Sequence, residues 1–135
     1  MIKTVILWPA IAQFALIAFC YVWLGATRQR AVASKAVAST DFPPGADEPR
    51  ASAEARRHLA NQFELPLVFF AVIGFLFMID GASILELALA WAFVIARVAH
   101  TIGALAGPLA LRHGAFLVAF VLVVLLWVDL AVRIL

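Results

Sequence analysis

Cysteine is all but absent. Cys20 stands alone in 135 residues, so no intrachain disulfide framework can hold the chain together. It lies within the first apolar run, where a buried thiol is expected to pack as a small hydrophobe rather than act as a nucleophile. Histidine is scarce as well. His58, His100 and His113, with one cysteine, have no metal-ligand spacing, and no metal site is expected. Charged residues make up 13% of the chain and leave a net charge of only +2, scattered rather than clustered, which argues against a nucleic-acid partner. Tyrosine occurs once, as Tyr21. No internal repeat and no separate soluble domain is visible.

Apolar side chains dominate instead: 66% of residues are hydrophobic and the mean hydropathy is +1.06. Soluble domains are about 45–50% apolar, and a small fold leaves much of its surface in water, so the solvent expected here is lipid. A bilayer core takes about 20 helical residues to cross. Four such spans can be read, at about 2–24, 55–79, 84–105 and 114–135, in a single domain covering 1–135. Backbone groups find no partner in lipid, so the spans must be helices, and the fold class is an all-α four-helix transmembrane bundle. Lys3 and Ala31-Val32-Ala33 imitate a signal peptide, but the apolar run is too long and Arg28 and Arg30 interrupt it, so a retained helix is expected. The second helix is expected to begin near Ser52, after Pro49. Asp80-Gly81 and Gly107-Pro108 are turn signals, and Phe42-Pro43-Pro44-Gly45 marks the polar loop 27–54. Arg28, Arg30, Lys35, Arg50, Arg56 and Arg57 crowd around that loop, and Arg112 lies in the third; the second offers only Asp80, with Glu86 just beyond. Basic loops stay inside, which predicts a cytoplasmic first loop and both termini outside.

Charges within a span are expensive and turn toward the protein interior. Arg57, Asn61 and Glu64 are spaced i, i+4, i+7, one stripe of a continuous helix, and Arg97 and His100 are spaced i, i+3. At 1.5 Å per residue, Glu64 lies ~24 Å from Asp80, and Arg97 and His100 lie ~20 and ~24 Å from Ile84 on the returning helix. The three groups are therefore level, and Glu64 is expected to pair with Arg97, either as a packing salt bridge or as part of a cationic pocket reaching into the bundle. Pro66 frees the Gln62 carbonyl and should bend the helix beside it. His58 and His113 are expected to be solvated at helix entrances. The four tryptophans read as interface anchors or core, and Asp129 has no evident partner beyond Arg133 at i+4.

Three segments carry a resemblance. Arg57-x-x-x-Asn61-x-x-Glu64-x-Pro66, Arg97-Val98-Ala99-His100-Thr101 and Gly25-Ala26-Thr27-Arg28-Gln29-Arg30, in order among four spans, resemble the MAPEG family, the membrane-associated proteins in eicosanoid and glutathione metabolism. The run Asn61–Pro66 is especially similar to a bacterial branch, which points to a bacterial inner membrane. The resemblance implies a homotrimer among membrane lipids, with glutathione held between subunits near the cytoplasmic face. It places Arg57, Asn61, Glu64, Arg97 and His100 around glutathione, with Arg28 from the adjacent subunit, and makes Arg112 the nearest match to the arginine that stabilises the thiolate. The implied activity is a glutathione-dependent transferase or peroxidase acting on lipophilic electrophiles or lipid hydroperoxides. The family also contains a non-catalytic lipid-binding adaptor, so a non-enzymatic lipid-binding or adaptor role is the alternative. One departure bears on the choice: Ala104 stands where many family enzymes carry a tyrosine one turn past the His100 position.

Overall fold

The computed structural model describes residues 2–40, 42 and 47–135, and in these it is entirely helical. Positions 43–45 of the Phe42–Gly45 cluster lie outside the described residues. The elements are α1 (Ile2–Val5), α2 (Leu7–Ala33), α3 (Arg50–Asn61), α4 (Leu65–Met78), α5 (Ile84–Leu105) and α6 (Leu109–Ile134). Four helical stretches are long and apolar enough to cross a membrane: α2, α3 and α4 taken together, α5, and α6.

The connection that the sequence places at 27–54 is helical at both ends. Helix α2 runs on through Thr27–Ala33, where the Thr27 hydroxyl bonds back to the Leu24 carbonyl at 2.8 Å. It stops at Ser34 and Lys35, the latter at φ 59°, with the Ala36 N–H closing on the Ala31 carbonyl at 3.0 Å. That left-handed residue and backward bond satisfy a terminal carbonyl. Helix α3 begins directly after Pro49, which cannot continue a preceding helix but tolerates the start of one.

The second span is broken rather than bent. Helix α3 ends at Asn61, residues 62–64 form a turn, and α4 restarts at Leu65 with Pro66 in its first turn. Pro66 has no N–H for the Gln62 carbonyl, and its ring crowds that oxygen. The chain closes α3 with tighter bonds instead, Gln62 N–H to Leu59 at 2.9 Å and Phe63 N–H to Ala60 at 2.9 Å. The expected stripe is interrupted there. Ser52, Ala55, His58, Leu59 and Gln62 are buried, while Arg57 and Glu64 are exposed and Asn61 is half-buried.

The core is apolar and lies in the half of the bundle away from this break. Phe69 and Phe93 stack with ring centroids 4.1 Å apart, among Val72, Ile73, Leu76, Val94, Val123 and Leu126. Helices α5 and α6 make the most extensive pairing. Gly103 allows it: a Cβ there would meet the Arg112 backbone nitrogen at 2.8 Å. Outward faces carry large apolar side chains such as Phe14, Leu67, Ile95, Leu117 and Val128, as a lipid-solvated bundle requires.

Candidate functional site

A polar nucleus occupies the bundle where α3 ends. Arg97 is fully buried, and its Nη2 donates to the Asn61 carbonyl at 3.2 Å, while Nε and Nη1 have no partner among the described residues. Asn61 is the last residue of α3. The guanidinium therefore caps a helix C-terminus, where unpaired carbonyls concentrate partial negative charge. This corrects the expected Glu64–Arg97 pair. Glu64 is exposed and forms no ion pair with Arg97, acting on it only at longer range. The physical reason is the break itself, since residues 62–64 leave the helical path and turn Glu64 outward.

His100 is buried, and its Nδ1 lies 2.8 Å from the Arg112 carbonyl. A carbonyl only accepts, so Nδ1 carries the proton. The Nε2 of His100 is left without a partner among the described residues. The His100 ring stacks on His58, centroids 5.2 Å apart, and tilts against Phe116 at 5.8 Å.

His58 is only 1% exposed, which overturns the expectation of a solvated entrance. Because α3 starts eight residues earlier, His58 shares the inward face with Ser52, Ala55 and Gln62 rather than standing at a helix mouth. Its Nε2 is 3.0 Å from the Thr101 hydroxyl and 3.1 Å from the Gln62 amide. Gln62 in turn accepts from Gln13 at 3.2 Å, and the Thr101 hydroxyl donates to the Arg97 carbonyl at 2.9 Å. Gln13, His58, Gln62 and Thr101 thus tie α2, α3 and α5 together around the buried arginine. Sequence reasoning gave none of the four this role and expected His58 to be solvated. Their signals were His58 and Gln62 at i, i+4 and Thr101 four residues after Arg97.

The remaining site residues sit further out. Arg57 is exposed and Arg112 half-buried, and both act electrostatically on the Glu54 carboxylate. Arg28 pairs with Glu48 at 3.1 Å and lies over the Phe42 ring at 5.2 Å. The structure brings Arg97 and Asn61 together, and His100 and Arg112 together. It leaves Arg57 and Glu64 on the outer surface of the chain. A cleft of about 340 Å³ between α2 and α4 is lined by Phe14, Ile17, Tyr21, Gln62, Phe63, Leu67 and Phe70, so the polar nucleus borders an apolar opening through Gln62.

At the opposite end a second charged group joins α5 to α6. Glu86 forms a capping box with Ser83, whose backbone N–H donates to the Glu86 carboxylate at 2.7 Å. Arg133 bonds Glu86 and also donates from Nε to Asp129 at 2.7 Å. Asp129 therefore has Arg133 as its partner, and through it the start of α5.

Four membrane-length helices, an apolar core at one end and a buried cationic nucleus at the other define an integral membrane protein with a polar site inside its bundle. The MAPEG family model matches residues 6–132, nearly the whole chain, and the protein belongs to that family. It is thus a membrane protein of the glutathione and eicosanoid metabolism kind. No curated protein and no solved structure matches the chain.

Proposed function

We propose that this protein is a glutathione-dependent membrane transferase or peroxidase acting on lipophilic electrophiles or lipid hydroperoxides. The observation that carries the proposal, beside family membership, is the buried Arg97 with two nitrogens, and three residues on along α5 the buried His100 with its Nε2, that have no partner among the described residues. A buried, incompletely paired cation calls for an anionic or strongly accepting ligand. Glutathione has two carboxylates and one ammonium; arginines clamp the former in bidentate fashion, and a carboxylate such as Glu64 receives the latter.

In this proposal the protein is a homotrimer in a bacterial inner membrane, with its termini outside and the basic first loop in the cytoplasm. The exposed Arg57 and Glu64, with the half-buried Asn61, face a neighbouring copy, which contributes its Arg28, so that glutathione lies between subunits. Arg112 holds the sulfur as a thiolate, since a nearby cation lowers a thiol pKa. Its backbone is positioned by the bond from His100 and by contact with Gly103. In transfer, the thiolate attacks the electrophilic carbon and the leaving group departs with its electron pair. In the peroxidase variant, two glutathiones reduce one hydroperoxide to an alcohol and water and leave as the disulfide. The apolar cleft beside Gln62 offers the lipophilic partner a route from the bilayer.

Calorimetry of glutathione binding in nanodiscs, followed by ultraviolet absorbance of bound thiolate, tests this. Arg112→Ala should abolish the thiolate signal and retain much of the binding, whereas Arg57→Ala or Asn61→Ala should weaken binding itself. Binding without a thiolate signal in the wild type would replace catalysis by a lipid-binding or adaptor role. Ala104, which supplies no hydroxyl beside the sulfur, favours that second account.

A further inference from the structure

Arg28, on α2, is already occupied by the chain's own carboxylate. Glu48 lies two residues before α3, and its side chain is 6% exposed. Its Oε1 accepts from Arg28 Nη2 at 3.1 Å and from the buried Ser52 hydroxyl, while Oε2 accepts from Arg56 Nε at 2.8 Å. Arg28 Nε also reaches Ser52 at 3.4 Å. Both carboxylate oxygens are committed, one cation from α2 and one from α3 closing on them. Two arginines each give one charge-assisted bond, so both oxygens of a single carboxylate are held by cations.

We propose that Glu48 is a resident competitor for the Arg28 and Arg56 clamp, an autoinhibitory carboxylate that a ligand carboxylate must displace. The inference rests on the assignment of Arg28 to glutathione binding made above. A tethered group competes at the effective concentration its linker sets, of order millimolar for a short one, so Glu48 raises the apparent Kd for any ligand that approaches through Arg28. Hydrogen bonds from Ser52, Arg56 and Arg28 outweigh burial and hold the Glu48 carboxyl below the usual carboxylate range, which keeps the competitor charged at neutral pH. The device is selective. It penalises a ligand only for the carboxylate that goes to the clamp and leaves contacts with the Arg97 nucleus untouched.

Glutathione and glutathione diethyl ester, whose carboxylates are both masked, are titrated calorimetrically into wild type, Glu48→Gln and Ser52→Ala in nanodiscs. Removing a charge-assisted competitor should tighten glutathione binding by ten- to a hundredfold, about the equivalent of one hydrogen bond to a charged group. Ser52→Ala takes one of three donors from the Glu48 carboxylate and leaves both arginines on it, so it should tighten binding less, by about two- to tenfold; it decides the matter should Glu48→Gln fail to fold. The ester should gain nothing in either variant. Binding that appears only in the variants would support the proposal equally. Unchanged or weaker binding in the variants, with wild type still binding, overturns the role of Glu48 and leaves the proposed function standing. An equal gain for the ester overturns it too, since the clamp would then not be reading carboxylate. Absence of binding in all three proteins overturns both.

Discussion

The imidazole of His100 donates from Nδ1 to the main-chain carbonyl of Arg112 at 2.8 Å, across the interface of α5 and α6. This fixes the tautomer and aims the unprotonated nitrogen inward. His100→Phe should fill the ring's volume but remove the bond that joins α5 to α6, a loss of about 0.5–1.5 kcal/mol, since the Arg112 carbonyl keeps its place in the α6 ladder. Thermal unfolding in detergent measures the loss. Nitrogen-15 NMR of labelled wild type should show the proton on Nδ1; a proton on Nε2 would contradict the bond.

Gly103 lets the two helices approach. A Cβ at that position would lie 2.8 Å from the Arg112 nitrogen and 3.0 Å from its Cα. Those atoms are backbone and cannot step aside as a flexible side chain would. Gly103→Ala should cost about 1–3 kcal/mol as overpacking. Gly114→Ala, where nothing lies within 4 Å, should be neutral or stabilise by up to about 1 kcal/mol through helix propensity. Equal unfolding temperatures for the two variants would show that the close approach does not matter.

Arg133 should count for more than its exposure suggests, because the Glu86 side chain it binds is fully buried. Breaking a wholly buried pair costs about 3–5 kcal/mol. With Arg133 34% exposed, water softens that penalty, and Arg133→Met should lower the unfolding temperature by less than loss of a wholly buried pair would. Adding Glu86→Gln should recover part of the loss. A double-mutant cycle with strictly additive losses would show that the two side chains do not interact.

Glu48 gives the one pH dependence that follows outside the spans. Its pKa is lowered in the fold, so its contribution to stability is fully present above the unfolded value of about 4.3. That contribution is lost as pH falls through the still lower folded value. Hydrogen-exchange protection at the start of α3, corrected for the intrinsic rate at each pH, should therefore fall at acid pH in wild type and vary less in Glu48→Gln. The same acid response in both proteins would place its origin elsewhere.

Much of the architecture was legible because lipid leaves few choices. Long apolar runs must be helices, and Asp80-Gly81 and Gly107-Pro108 had to end them. Pro66 signalled a distortion, but its size depended on how α3 could close, which spacing does not reveal. That is why Glu64 was assigned to Arg97: i, i+4, i+7 describes one face only if the helix is continuous. A helix terminus replaced the expected carboxylate as the partner of Arg97, and partial charges on carbonyls leave no mark in a sequence. Gln13, Gln62 and Thr101 were given no role, and His58 was expected to be solvated, because none of them stands out alone. Their meaning lies in three helices meeting at one level. Glu48 drew no reading for the same reason.

The turn at 62–64 makes the second crossing two rods joined end to end. A single rod is a lever, and any tilt at one membrane face must reappear at the other. With a joint at mid-length, α3 is held by its ties to α2 and α5, while α4 is held separately against Phe93 and Trp127. A load on α3 is then borne in that half and does not pass along a rod to the Glu86–Arg133 tie at the far end.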